Sequence, residues 1–270
     1  MADDGNRPVV ELFVKAAVDK MKNGGCPMCH RYFMIFYILR ERGLIDLIVT
    51  TFLPESPPKE VLDFSNGKRF PLVKVQKGVD GKGRDISGLE CDTVDEIEAL
   101  IERFNCDDMR SRKESAAEAT AEKTFEDLYM KFCQFLKSQN NDPTSIIKVL
   151  EKIESHLASN DGEMYMTGNN MAKADCYLLP VLQHVRVAGK AYKNFEIPTE
   201  MHRIWNYLKH AYDSDAFQES CPADREIITQ YNNKASCQPQ VPLGKSTLMG
   251  EERTFSIPDQ KMKAYDHDDY

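Results

Sequence analysis

The segment Gly24-Gly-Cys-Pro-Met-Cys-His-Arg31 lies between two patterned runs, and it constrains the chain more than any other feature. Before it, Val9 to Val14 is rich in β-branched and aromatic residues and reads as a strand, followed by a polar loop from Asp19 to Gly25. After it, a helical pattern runs from Cys26 towards Arg42 and stops at Gly43. Two cysteines one turn apart therefore open a helix at the end of a strand. A helix N-terminus presents unpaired N–H groups and the positive end of the helix dipole, and both favour a thiolate at Cys26. Pro27 suits the first turn, where its missing N–H would have no partner. Cys29, one turn on, is placed to resolve a mixed disulfide formed at Cys26.

Three other readings of the motif compete with redox chemistry. The thiols could be inert residues of a packed helix. Cys26-x-x-Cys29-His30 also fits c-type haem attachment, but the acidic stretch from Met1 to Pro8 has no apolar signal core, so secretion is not expected. Structural zinc needs a second ligand pair, and none has the spacing. Eight cysteines in 270 residues is too sparse for a disulfide scaffold, so reduced thiols are expected. His30 and Arg31 add expected positive character beside the pair, and His30 is a candidate pH-linked group.

The remaining elements follow from periodicity. Asp46–Phe52 and Pro71–Val75 read as strands, Pro57-Pro58 as the start of a short helix to Leu62, and the stretch around Ile86 as a fourth, edge strand. Thr93 and Glu96 have capping-box spacing ahead of Ile97, Leu100, Ile101 and Phe104. The first hundred residues thus read β-α-β-α-β-β-α. Beyond Cys106 the pattern changes to long helices. One spans Lys123–Lys137, one follows Pro143, and Ala174–Ala191 is apolar on most sides and expected to be buried, with Pro180 inside it. Further helices are expected from Pro198 and Pro222. The expected division is an α/β domain over residues 1–105, which the family resemblance given below implies to be thioredoxin-like, an all-helical domain over 106–235 and a disordered acidic tail over 236–270.

The net charge of −8 and the lack of a basic patch argue against nucleic-acid binding. No run reaches the roughly 18–20 apolar residues of a spanning helix. Phe70-Pro71 opens a strand where thioredoxin-like folds place a cis-proline beside the active thiol. Asp92-Thr93 caps the next helix, whose N–H groups are candidates to hold a peptide carboxylate.

The chain resembles the chloride intracellular channel family, which is similar in fold to omega-class glutathione transferases. The resemblance rests on Gly25-Cys-Pro-Met-Cys29 with Tyr32-Phe-Met34, Ile48-Val-Thr-Thr51, Phe70-Pro-Leu-Val73, Ala174-Asp-Cys-Tyr-Leu-Leu-Pro180, Phe195-Glu-Ile-Pro198 and Ser220-Cys-Pro-Ala-Asp224. It implies a glutathione transferase-like fold and glutathione-dependent oxidoreductase activity with Cys26 and Cys29 as catalytic thiols. It also implies a glutathione site at Phe70, Pro71, Asp92 and Thr93, with no metal. The family's members are chiefly soluble and cytoplasmic, associate reversibly with membrane lipid and support chloride conductance. A monomer when soluble, and an oligomer in the membrane, would follow. The alternative is a non-catalytic, redox-sensitive interaction module on the same fold.

Three departures stand out. Cys29 replaces a serine of several members, which favours dithiol chemistry. Ala172 stands where the fold usually caps the buried helix with Ser or Thr, leaving Asp175 to satisfy its start. The glycine-rich stretch between Val75 and Asp92 is long for the family. The segment resembling the proposed spanning region, Pro27 to Leu53, carries Arg40, Glu41 and Arg42 at its middle. Those three charges oppose insertion of a lone helix by about 8–10 kcal/mol, against roughly 4–7 kcal/mol returned by its apolar residues. A core helix, a turn at Gly43 and a core strand account for the same residues.

Overall fold

The computed structural model describes residues 7–109, 111, 113, 115–240 and 252–258. Four strands, β1 (Val9–Lys15), β2 (Asp46–Phe52), β3 (Leu72–Lys77) and β4 (Glu90–Cys91), form one mixed sheet in the order β2-β1-β3-β4. β1 pairs parallel with β2 and antiparallel with β3, and β3 pairs antiparallel with β4. The parallel pair requires a crossover. Helix α1 (Pro27–Glu41) supplies it, buried through Tyr32, Met34, Ile35, Phe36, Ile38 and Leu39. The turn back into β2 runs through Gly43, whose φ of 72° favours glycine. The short α2 (Lys59–Leu62) and α3 (Val94–Arg103) complete this α/β unit. The Pro27–Leu53 segment is thus a core helix, a turn and a strand, and no helix of the described residues is long and apolar enough to cross a membrane.

The fourth strand differs from the expectation. It is the two-residue β4, while Ile86 sits buried in a loop between Gly78 and Gly88. Asp80 pins that loop. Its carboxylate accepts from the Lys82 and Arg84 N–H groups and pairs with the Arg84 guanidinium, and these donors hold its pKa down at about 2. The glycine-rich stretch is therefore a pinned loop.

Among the described residues the helical part contains α4 (Ala116–Phe125), α5 (Leu128–Lys137), α6 (Thr144–Ser159), α7 (Lys173–Lys193), α8 (His202–Tyr212), α9 (Asp215–Ser220) and α10 (Asp224–Thr229). A single 3₁₀ turn, Asp107–Met109, precedes them. The expected helix at Lys123–Lys137 is in fact the end of α4 and all of α5. Glu126 and Asp127 keep right-handed dihedrals at the junction, so the apolar pattern runs on while the helix itself is interrupted. Helix α8 begins at His202 rather than at Pro198, because the Pro198 carbonyl instead accepts from Met201 N–H and from the Trp205 indole at 3.0 Å.

The buried α7 is the axis of this region, packed by α1, α4, α5 and α10. Its start shows how the missing cap at Ala172 is replaced. Asp175 accepts Ala172 N–H at 2.8 Å and also Met166 N–H and the Tyr207 hydroxyl. Glu118 of α4 accepts Ala174 N–H at 2.7 Å. Two carboxylates thus do what one hydroxyl would, and burial pushes Asp175 up to about 7.

The tail expected to be disordered is fastened wherever it is described. Ser236 and Gln240 donate to the Leu136 and Ala191 carbonyls. Thr254 donates twice to Asp224, and Arg186 donates to the Ser256 carbonyl. Phe255 stacks on Tyr212 at 4.8 Å. Residues 241–251 and 259–270 lie outside the described residues.

Between the two parts, Glu98 of α3 accepts the hydroxyls of Tyr32 (α1) and Tyr177 (α7), each at 2.6 Å, and pairs with the buried Lys173. This polar clasp fixes α1 and α3 against α7.

Candidate active site at the start of the first helix

Two glycines allow the approach to Cys26. Gly24 N–H donates to the Lys15 carbonyl, and a Cβ on Gly24 would lie 2.5 Å from the Ala16 oxygen. A Cβ on Gly25 would lie 2.0 Å from the Glu226 oxygen of α10, so the absence of a side chain lets the helical part close over the loop. Cys26 then caps α1 with extended dihedrals, and Pro27 follows at the first helical position.

The two thiols have opposite surroundings. The Cys29 thiol donates to Cys26 and does most to lower it. Burial opposes, while the N–H groups of Cys29 and Met28 and the Lys15 ammonium assist, and the Cys26 thiol is held down at about 6. Cys29 is buried, and burial together with its bond to Cys26 pushes it well above the ordinary thiol range. Lys15 N–H donates to its sulfur at 3.4 Å. The two thiols of one helical turn are thus driven in opposite directions, Cys26 towards the thiolate and Cys29 towards the protonated thiol.

His30 is not the positive, solvated group expected from the sequence. It is 2% exposed, its ring lies 5.0 Å from Phe217, and neither ring nitrogen has a partner. Burial drives its pKa well below the ordinary range, so it is neutral. The position i+1 to Cys29 faces the helical part rather than the solvent. Arg31 instead stacks its guanidinium 3.9 Å above the Tyr177 ring.

The expected glutathione residues gather at one end of the sheet. The Phe70-Pro71 bond is cis, and Phe70 packs on Phe52 with ring centres 4.7 Å apart. Phe13 pairs with Leu72 and Val73 with Cys91, which brings Pro71 and Asp92 to the edge where β1 leads towards Cys26. The capping box at Thr93 is complete. Glu96 accepts the N–H groups of both Asp92 and Thr93, while Thr93 accepts Glu96 N–H. These two N–H groups are therefore engaged within the chain, and the half-buried Asp92 carboxylate is the polar group left at that position.

The sequence reading missed the opposite wall. Tyr129 and Tyr231 lie near enough to each other, to Cys133 and to Cys26 to influence one another's ionisation, and burial raises both tyrosines. The Tyr231 hydroxyl also meets His184 Nδ1 at 2.8 Å. Tyr129 and Cys133 lie at i and i+4 on an amphipathic helix, a spacing that core residues share. Among the described residues no group of His, Cys, Asp and Glu is arranged to hold a metal ion.

Comparison with known proteins sets this geometry in a family. Residues 8–90 match the family model described as the CLIC-like N-terminal domain. The Drosophila melanogaster chloride intracellular channel Clic is 33% identical over 231 residues, covering 85% of this chain and 83% of that protein. This chain belongs to the chloride intracellular channel family. The crystal structure of the CLIC homologue EXC-4 from C. elegans superposes with a TM-score of 0.71 at 26% identity, covering 96% of this chain and 92% of the other. Chlamydomonas reinhardtii dehydroascorbate reductase gives a TM-score of 0.66 at 20% identity, covering 84% and 98%. Glutathione transferase Omega 1C from Trametes versicolor gives 0.59 at 12% identity, covering 85% and 97%. The last two show the shared fold: a chloride intracellular channel chain with the glutathione transferase architecture.

Proposed function

We propose that in its folded form this chloride intracellular channel protein is a glutathione-dependent thiol–disulfide oxidoreductase. The observation that carries this reading is the opposed ionisation of the pair, with Cys26 held down at about 6 and Cys29 pushed up. Cys26 thiolate attacks one sulfur of a disulfide, a new S–S bond forms, and the other half leaves as a thiolate with the electron pair. Cys29, after losing its proton, or a glutathione thiolate then attacks the mixed disulfide and releases the second half. Two glutathione thiols supply the electrons and end as glutathione disulfide.

Phe70, Pro71, Asp92 and Thr93 are the residues proposed to receive glutathione. With its neighbouring N–H groups engaged by Glu96, the Asp92 carboxylate is assigned to the ammonium group of the peptide. The test is glutathione-coupled reduction of a small neutral disulfide. Cys26→Ser should abolish turnover, and Cys29→Ser should retain the route in which glutathione is the resolving thiol. Equal turnover by Cys26→Ser and wild type would refute the assignment.

Its kinship with a protein named as a chloride intracellular channel supports a second role, chloride transport after association with membrane lipid. The folded chain offers no spanning helix among its described residues, so insertion has to unpack α1 and β2 and assemble copies so that Arg40, Glu41 and Arg42 face water or one another. A cytoplasmic monomer with reversible membrane association is the state in keeping with both roles. Chloride efflux from liposomes above that of denatured protein, altered by Arg42→Gln, is the expected result. Turnover and efflux both absent from a folded protein would instead favour a redox-sensitive interaction module.

A further inference from the structure

A cleft of about 350 Å³ opens beside the cysteine helix, between the end of β1 with Gly24 and Gly25 on one side and the end of α10 on the other. Its size is at the lower end of the roughly 300–1,000 Å³ that small-molecule sites occupy. Two ammonium groups line it, Lys15 and Lys234. Lys15 Nζ donates to the Gln230 amide oxygen at 3.2 Å, and Lys234 Nζ lies 5.7 Å from the Tyr231 ring centre. Both partners are uncharged.

Among the described residues no carboxylate pairs with either lysine. The one carboxylate in the lining, Glu226, is already engaged by Val18 N–H at 3.3 Å and by Arg225 at 2.9 Å. Thr229, Gln230 and Asn233 add uncharged polar groups. A chain of net charge −8 thus sets two lysines against a single, already engaged carboxylate in this cleft, one residue before Cys26. Such a cleft concentrates anions and orients them. Lys15, which lines the cleft, also favours the Cys26 thiolate electrostatically.

We propose that this cleft binds a carboxylate carried by the disulfide substrate, between Lys15 and Lys234. The inference rests on the reading of Cys26 as the attacking thiolate. The preferred substrate class is then a small acidic disulfide. The carboxylate on Lys15 and Lys234 holds one half of the molecule while Cys26 attacks the sulfur. The S–S bond breaks, one half becomes joined to Cys26, and the other leaves as a thiolate that takes a proton from solvent.

The test separates the cleft from the enzyme reading by using alkylation as well as turnover. Full-length wild type, Lys234→Glu and Lys234→Met are treated with iodoacetate and with iodoacetamide, and the rate at Cys26 is read by mass spectrometry. Lys234→Glu should lower the iodoacetate-to-iodoacetamide rate ratio about ten-fold and Lys234→Met about three-fold, with the iodoacetamide rate unchanged. Lys59→Glu, outside the cleft, should leave the ratio within about two-fold. With glutathione as reductant, kcat/KM for 3,3′-dithiodipropionate should fall in the same order, while that for 2-hydroxyethyl disulfide stays constant. An unchanged alkylation ratio, or an equal loss with Lys59→Glu, would overturn the cleft assignment. A shifted ratio without turnover of either disulfide in wild type would uphold the anion cleft and remove the oxidoreductase reading instead.

Discussion

The backbone N–H of Lys15 donates to the sulfur of Cys29 at 3.4 Å, so the last residue of the first strand holds the buried thiol of the next helix. The side chain of the same residue acts on the other thiol, because its ammonium favours the Cys26 thiolate. Both groups of Lys15 also act to lower Cys29, where burial outweighs them, so one strand end favours both thiolates and burial sets the two cysteines apart. The backbone bond is unaffected by side-chain substitution, which makes the ammonium separable by mutation.

Lys15→Met should raise the Cys26 midpoint by about half to one pH unit, since one nearby charge is removed and the helix N–H groups remain. Thiolate absorbance at 240 nm against pH would show it. A midpoint equal to that of wild type would mean that the Lys15 charge does not reach the sulfur.

His30 predicts acid sensitivity. It is buried and neutral, with Phe217 of α9 against its ring and His184 of α7 and Arg253 as the charged or titratable neighbours that disfavour its protonation. The unfolded chain takes up this proton below pH 6.5 and the folded chain does not. Stability is therefore lost as pH falls through 6.5, by about 1.4 kcal/mol per unit for this group. His184, depressed to about 3 by burial, adds in the same direction. His30→Phe should flatten the denaturation free energy between pH 6 and 5 by about that amount. An unchanged slope would show that the ring titrates alike in both states.

The Glu98 clasp gives a third prediction. Glu98→Ala leaves Lys173 buried without its counter-charge and two tyrosine hydroxyls without an acceptor, and should cost about 3–5 kcal/mol. Adding Lys173→Met should recover a substantial part of that loss in urea denaturation. Strict additivity of the two substitutions would show that the pair is not coupled.

Most of this architecture was legible in the sequence. The capping box at Thr93, the proline and cysteines that open α1, and the apolar run of α7 are local signals that agree with the fold. The misreadings share a different origin. His30 follows Cys29 on the motif and reads as solvated, yet its direction is set by α9, and the Ser214 that caps α9 with a bond to Phe217 N–H is a brief signal. Glu118, which completes the start of α7, lies 56 residues from the N–H it accepts. Lys234 and Lys15 meet at one cleft only because α10 returns to the first strand. None of these pairings has a period to detect.

The central claim is that Cys26 is a thiolate at neutral pH while Cys29 is retained as a thiol. The most direct measurement is the pH dependence of iodoacetamide labelling of the reduced protein, resolved to each cysteine by mass spectrometry. The account predicts a Cys26 midpoint near 6 and negligible labelling of Cys29 up to about pH 8. A Cys26 midpoint at or above about 8.5, the value of an ordinary thiol, would contradict it.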